Sequence, residues 1–215
     1  MNRIIRNYIE NSPQVLSLAK YIEESYRGAI SKPRWKLLSK QKNIKLELGS
    51  GAKQGKNGWI TVDMSNADIY WDLRKGIPLA DCSVNKIYSS HLLEHIPYKQ
   101  LIIFLQECRR VLRSDGEFSV CVPNFRFYVD AYNEGKLFRE RDAWWEPGMI
   151  DTGSIIDQLN YLAYMRDEHK YMFDEEGLIN TLLKAGFSEA NLREFDQELD
   201  LLERDFESIY AVAKR

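Results

Sequence analysis

Between residues 44 and 124 the chain carries short apolar stretches separated by glycine, proline and polar clusters. Ile44 to Leu48, Trp59 to Val62, Ile69 to Trp71 and Asn85 to Ser90 have the length and composition of strands. Residues 98–112 change period. Leu101, Leu105, Cys108 and Leu112, with Phe104 and Val111 beside them, recur at helical spacing. Ser114-Asp115-Gly116 reads as the turn that ends this helix. Glu117 to Val122 is the next strand, stopped by Pro123. A helix follows over 175–185, capped by Asp174 and closed by Gly186. Phe187 to Phe195 and Ser208 to Ala213 read as the last two strands, joined by an acidic loop. Strands that alternate with helices predict an α/β domain built on a doubly wound sheet.

The flanks follow other patterns. Residues 3–31 read as one or two amphipathic helices. Ile4, Ile5, Tyr8 and Ile9 share one face, and Val15, Leu16, Leu18, Ala19 and Ile22 another that begins after Ser12-Pro13. Ser31-Lys32-Pro33-Arg34 is expected to break the pattern. This divides the chain into an N-terminal helical segment, 1–43, and a main domain, 44–215. The N-terminal segment would cover either the mouth of a cleft or one side of the sheet. Residues 124–172 are rich in aromatics and read as an insertion laid over the carboxyl edge of the sheet.

Composition narrows the class. Hydrophobic residues make up 44% and charged residues 29%, as in soluble globular proteins. The net charge of −2 gives no nucleic-acid footprint. Residues 1–45 hold ten Lys or Arg against three Glu, a local +7, so protein or peripheral contact through these basic helices is open. The three cysteines lack C-x-x-C spacing, and no apolar run is long enough to span a membrane, so a cytoplasmic location is expected. No His/Asp/Glu cluster has metal-ligand spacing, so no metal is expected.

The chemistry concentrates after the first strand. Gly49-Ser50-Gly51 lets the backbone turn sharply and lets a ligand approach its N–H groups. Asp63 closes the second strand, where a carboxylate suits a ribose diol. A dinucleotide fingerprint wants a third glycine at position 54, which is Gln54, and an acid about 20 residues on. Asp63 follows Gly49 by only 14. An NAD-dependent oxidoreductase is thereby disfavoured against a protein that binds S-adenosylmethionine. Gly49, Asp63, Asp72 and His91 all fall at carboxyl ends of expected strands, the edge where such sheets bind ligands.

Leu46-Glu47-Leu48-Gly49-Ser50-Gly51, Gly58 to Asp63, Asp72-Leu73 with Ile77-Pro78, and Ser90-His91-Leu92-Leu93-Glu94-His95-Ile96 resemble the class I S-adenosylmethionine-dependent methyltransferases. Within them they are similar to the methyltransferase type 11 proteins associated with bacterial surface-glycan synthesis. Arg110 to Arg113, Val122-Pro123-Asn124 and His169-Lys170-Tyr171 extend the resemblance, which covers roughly 44–124 and 167–215. It implies a mostly parallel, seven-stranded sheet with the last strand inserted antiparallel beside the fifth. It implies S-adenosyl-L-methionine as cofactor. Glu47 and the turn Gly49, Ser50, Gly51 would meet its methionine part. Asp63 would hold the ribose and Met64 would lie on the adenine face. Asp72 and the Leu73 backbone would meet the adenine edge, and Ser90 and His91 would lie near the sulfonium.

Methyl transfer from a sulfonium is an in-line displacement, so alignment and exclusion of water do most of the work. A hydroxyl acceptor also needs a base. His91 ranks first, His169 could reach the same cleft, and Glu94 is a further candidate. His95 suits a hydrogen bond within its own segment. Each also fits a structural role. Arg126, Arg139 and Arg141 could hold a phosphate or carboxylate of a small-molecule or glycan acceptor, or be solvated charges. The alternative to an enzyme is a non-catalytic module of the same fold that binds the adenosyl ligand or a partner.

Overall fold

In the computed structural model the described residues are 12–136 and 152–215. The expected face of Ile4, Ile5, Tyr8 and Ile9 therefore lies outside them, as do Phe138, Arg139, Arg141, Trp144 and Trp145. In chain order the elements are α1 (Pro13–Leu38), β1 (Lys45–Leu48), β2 (Trp59–Asp63), β3 (Ile69–Tyr70), β4 (Val84–Ser90), α2 (Tyr98–Val111) and β5 (Leu112–Pro123). Then come α3 (Phe125–Asn133), α4 (Ile156–Tyr164), α5 (Glu175–Lys184), β6 (Glu189–Leu192) and β7 (Ser208–Lys214).

The strands form one seven-stranded sheet in the order β3-β2-β1-β4-β5-β7-β6. β1 pairs in parallel with β2 and β4, β2 with β3, and β4 with β5. β7 runs antiparallel to both β5 and β6. Strand order reverses between β1 and β4. A crevice therefore opens at their carboxyl ends, where neighbouring connections leave in opposite directions.

The strands are apolar because both faces are covered. Leu46, Leu48, Val62 and Ile87 are fully or almost fully buried, and so are Phe118, Val120 and Val122. α2 turns Leu101, Phe104, Leu105, Cys108 and Val111 onto the sheet. Each such side chain contributes about 1.5–3 kcal/mol as an upper bound. α5 adds Leu178 and Leu182, and Asp174 Oδ1 caps it by accepting the Gly177 N–H at 2.7 Å. α3 and α4 enclose a smaller core of Tyr128, Ala131 and Leu162, so the described aromatics of this insertion include packing residues.

Three expectations change. α1 does not break at Ser31 to Arg34 but continues through Pro33 to Leu38. Proline removes one helical hydrogen bond, but Trp35 and Leu38 beyond it dock into the main core, which holds the last turn in place. Trp35 meets Trp71 edge-on at 5.9 Å. Second, Leu18 and Ile22 are 59% and 58% exposed, so these two side chains are not packed against the described residues. Third, Ser114-Asp115-Gly116 is part of β5. Val84 pairs with Leu112 and Lys86 with Glu117, so β5 advances five steps where β4 advances two. The extra residues are taken up as a bulge rather than a separate turn.

Candidate active site

The turn after β1 is set by its glycines. Gly49 has φ 72° and Gly51 φ 64°. A Cβ on Gly49 would stand 2.7 Å from the Leu92 side chain, so position 49 excludes any larger residue on two counts. Gly51 donates its N–H to Asp63 Oδ2 at 3.0 Å, which ties the turn to the end of β2. A second carboxylate, Asp68, braces the connection: it accepts from the N–H of Gly55 and from both the N–H and hydroxyl of Thr61.

Gly49, Asp63, Met64, Asp72, Leu73 and His95 line one cavity of about 790 Å³, with Trp71 and Arg74. This is the size range of small-molecule sites. A second cavity of about 320 Å³ lies where Gly28, Ala29 and Lys32 of α1 approach Met64, Trp71 and Asp72. α1 thus flanks the cleft on the β3 side. Asp72 accepts from the Arg74 N–H at 3.0 Å, and from its Nε at 2.8 Å and Nη2 at 3.0 Å. Burial raises the Asp72 carboxyl, but the bonds and charge of Arg74 outweigh it and hold the group below its ordinary value. Glu47 pairs with Lys53 at 2.9 Å.

A second group of polar residues gathers where β4 ends. His91 has φ 49°, a left-handed conformation that is strained for a residue with a side chain. Its Nε2 lies 3.1 Å from Ser208 Oγ. Ser208 donates its own proton to the Arg204 carbonyl at 2.6 Å, so His91 is the donor in the pair and its Nδ1 carries the lone pair. That Nδ1 is 3.7 Å from Glu94 Oε1. Burial, then the charge of Arg204 and the other histidines, lowers His91 to about 3, while burial pushes Glu94 up to about 8. At neutral pH both are largely uncharged, so their approach is not an ion pair. His169 is buried and lowered to about 4, chiefly by burial. It meets the His95 ring edge-on at 4.8 Å.

Asp63, Met64, Asp72 and Leu73 thus share the cavity with Gly49, whereas Glu47, Ser50, Gly51, Ser90, His91, Glu94 and His169 are not among its lining residues. The three base candidates form a cluster of their own, and His95, expected only to bond within its own segment, lines the cavity beside it. Sequence reasoning missed Arg74, although a carboxylate two residues before a backbone N–H is a local signal for such a turn. It also missed Ser208, for which residue spacing offers no signal.

Residues 46–120 match a protein family described as a methyltransferase domain. No curated protein matches the sequence. Among solved structures, an S-adenosylmethionine-dependent methyltransferase from Mesorhizobium loti is 17% identical, with a TM-score of 0.48, over 85% of this chain and 96% of that one. A possible histamine N-methyltransferase from Thermotoga maritima is 15% identical, with a TM-score of 0.47, over 93% and 95%. PigF with SAH is 13% identical, with a TM-score of 0.48, over 82% of this chain and 51% of that one, so the chain spans about half of PigF. Among the described residues no helix is long and apolar enough to cross a membrane. The chain is similar to a methyltransferase domain over residues 46–120, and the sheet that carries this stretch has the Rossmann-like methyltransferase fold.

Proposed function

We propose that the protein is an enzyme that transfers a methyl group from S-adenosylmethionine to an oxygen of a saccharide or other small acceptor. The observation that carries this is the placement of Gly49, Asp63 and Asp72 around one cavity at the strand-order reversal. Asp63 gives one oxygen to the Gly51 N–H, which leaves the other for the ribose hydroxyls. Asp72 would take the adenine amino group, with Met64 and Leu73 against the ring. Glu47 would receive the α-ammonium in place of Lys53. Ser90 and His91 would face the methyl group. The family match over residues 46–120 supports the cofactor and reaction type. His91, His169 and Glu94 would act on the acceptor side, where the lone pair of a neutral imidazole would take the hydroxyl proton and Glu94 would position the acceptor.

Calorimetry with S-adenosylhomocysteine tests the proposal. We expect a dissociation constant of roughly micromolar order, and absence of binding at about millimolar ligand would overturn it. Transfer of labelled methyl to a panel of sugars and small hydroxyl compounds then tests the acceptor class. Binding with no transfer to any of them would favour the non-catalytic module.

A further inference from the structure

Glu94 is 2% exposed, and among the described residues neither of its carboxyl oxygens has a hydrogen-bond partner. A buried polar group left in this state is destabilising, so its retention asks for a ligand. Two imidazoles stand beside it. The ligand-capable atoms of Glu94, His95 and His169 all lie within 4.8 Å of one another. His95 Nε2 is 3.9 Å from Glu94 Oε1. Two ligands of a tetrahedral zinc ion, each at about 2.0–2.1 Å, stand roughly 3.4 Å apart, so shifts of about an ångström would close the set.

One histidine is oriented for this. His169 Nδ1 faces the Leu162 carbonyl, which can only accept, so the proton sits on Nδ1 and the lone pair on Nε2. A carbonyl behind a ligand imidazole is the usual means of fixing its tautomer. Met165, Arg166 and Asp167, just before His169, have φ of 35°, 56° and 65°. Left-handed backbone is strained at each such residue, and here it delivers His169 to the cluster.

We propose that Glu94, His95 and His169 bind a divalent first-row transition-metal ion, for which zinc is the best match. Two imidazoles and one carboxylate suit zinc over magnesium, which prefers oxygen ligands and keeps its waters. Three protein ligands leave a position open for a water or an acceptor oxygen. His95 also lines the large cavity, so the cluster borders the same space. The spacing of His, Asp and Glu along the chain predicts no such cluster, because His169 arrives from a distant segment. The metal site does not rest on the proposed methyl transfer; an ion there would take the lone pairs of Glu94 and His169 and leave His91 as the base candidate.

Tag-free protein is stripped with chelator, loaded with zinc, desalted and assayed for metal by mass spectrometry. A chromophoric chelator then measures affinity by competition. We expect about one zinc per chain, with affinity weakened at least roughly tenfold in both Glu94→Gln and His169→Ala. Glu94→Gln is nearly isosteric, so it keeps the test valid if His169→Ala misfolds. Retention of less than about a tenth of an equivalent by the wild type, or unchanged affinity in Glu94→Gln, would overturn the site. Preference for magnesium over zinc would also overturn it. S-adenosylhomocysteine binding is measured on the same samples. Ligand binding without zinc uptake removes the metal site alone, and zinc uptake without ligand binding removes the methyl-transfer reading alone.

Discussion

Gly51 donates its backbone N–H to the Asp63 carboxylate at 3.0 Å, joining the turn after β1 to the end of β2. One side chain thereby orders the turn and, in the proposed function, would offer its second oxygen to the ligand. The roles can be separated. Asp63→Asn keeps an oxygen for Gly51 but loses the carboxylate, whereas Asp63→Ala loses both. We expect Asp63→Asn to weaken S-adenosylhomocysteine binding roughly tenfold, about 1.4 kcal/mol, with little change in Tm. Asp63→Ala should weaken binding at least as much and lower Tm by a few degrees. Calorimetry and thermal melts distinguish the outcomes, and equal affinity in all three proteins would clear Asp63 of ligand contact.

Gly49→Ala should destabilise the fold by about 1–3 kcal/mol in urea titrations, because it forces a side chain into left-handed backbone and into Leu92. Adding Leu92→Ala should recover only part of this. It removes the outer contacts but leaves the Leu92 Cβ, 2.8 Å away, and the backbone strain. Full recovery would show that crowding alone matters.

Stability should depend on pH through Glu94. Its folded value of about 8 stands above the ordinary 4.5, so between these the folded protein keeps a proton that the unfolded chain has released. Stability then falls as pH rises through this window, and the contribution is gone above about 8. His91 and His169, lowered to about 3 and about 4, act in the opposite sense and raise stability with pH up to about 6.5. His95 is lowered as well and adds to them. Arg204 and Glu207 also face Glu94, the first lowering its value and the second raising it. Above about 6.5 the Glu94 slope prevails within this cluster, and metal-free protein should lose up to about 2 kcal/mol by pH 8. Urea melts in the presence of chelator measure this. Glu94→Gln should flatten the decline, and a slope that persists would assign it elsewhere.

Much of this was legible because the sheet obeys a simple period. β1, β2 and β4 have apolar positions that both faces bury, and the α2 stripe points one way. The residues at the strand ends followed from the same frame. Cooperative features were not legible. Pro33 reads as a stop until Trp35 and Leu38 are seen anchoring the helix beyond it. Ser114 to Gly116 reads as a turn until the β4 pairing absorbs it. Ser208 reaches His91 only through tertiary packing, so neither spacing nor propensity could place it there; His169 was a candidate for the same cleft, but its approach to His95 was not legible.

Arg193 holds Asp200 through two hydrogen bonds, Nη1 to Oδ2 at 2.6 Å and Nη2 to Oδ1 at 2.8 Å. Asp200 also accepts the Tyr88 hydroxyl at 2.9 Å and the Asp196 N–H at 2.8 Å. This ties β4 to the segment leading into β7. Removing the carboxylate strands a guanidinium that is only 15% exposed. Asp200→Ala should cost about 3–5 kcal/mol in urea titrations. A loss below about 1 kcal/mol would mean that water replaces the pair.

β7 is the seventh strand to be synthesised, yet it lies between β5 and β6. Until it emerges from the ribosome, β5 offers an open edge flanked by Phe118, Val120 and Val122, a template for pairing with other chains. The first residue of β7, Ser208, also completes the hydrogen bond to His91. Assembly of the sheet and of the polar cluster is therefore a single late event, and a nascent chain stalled before residue 208 should depend on chaperones to remain dispersed.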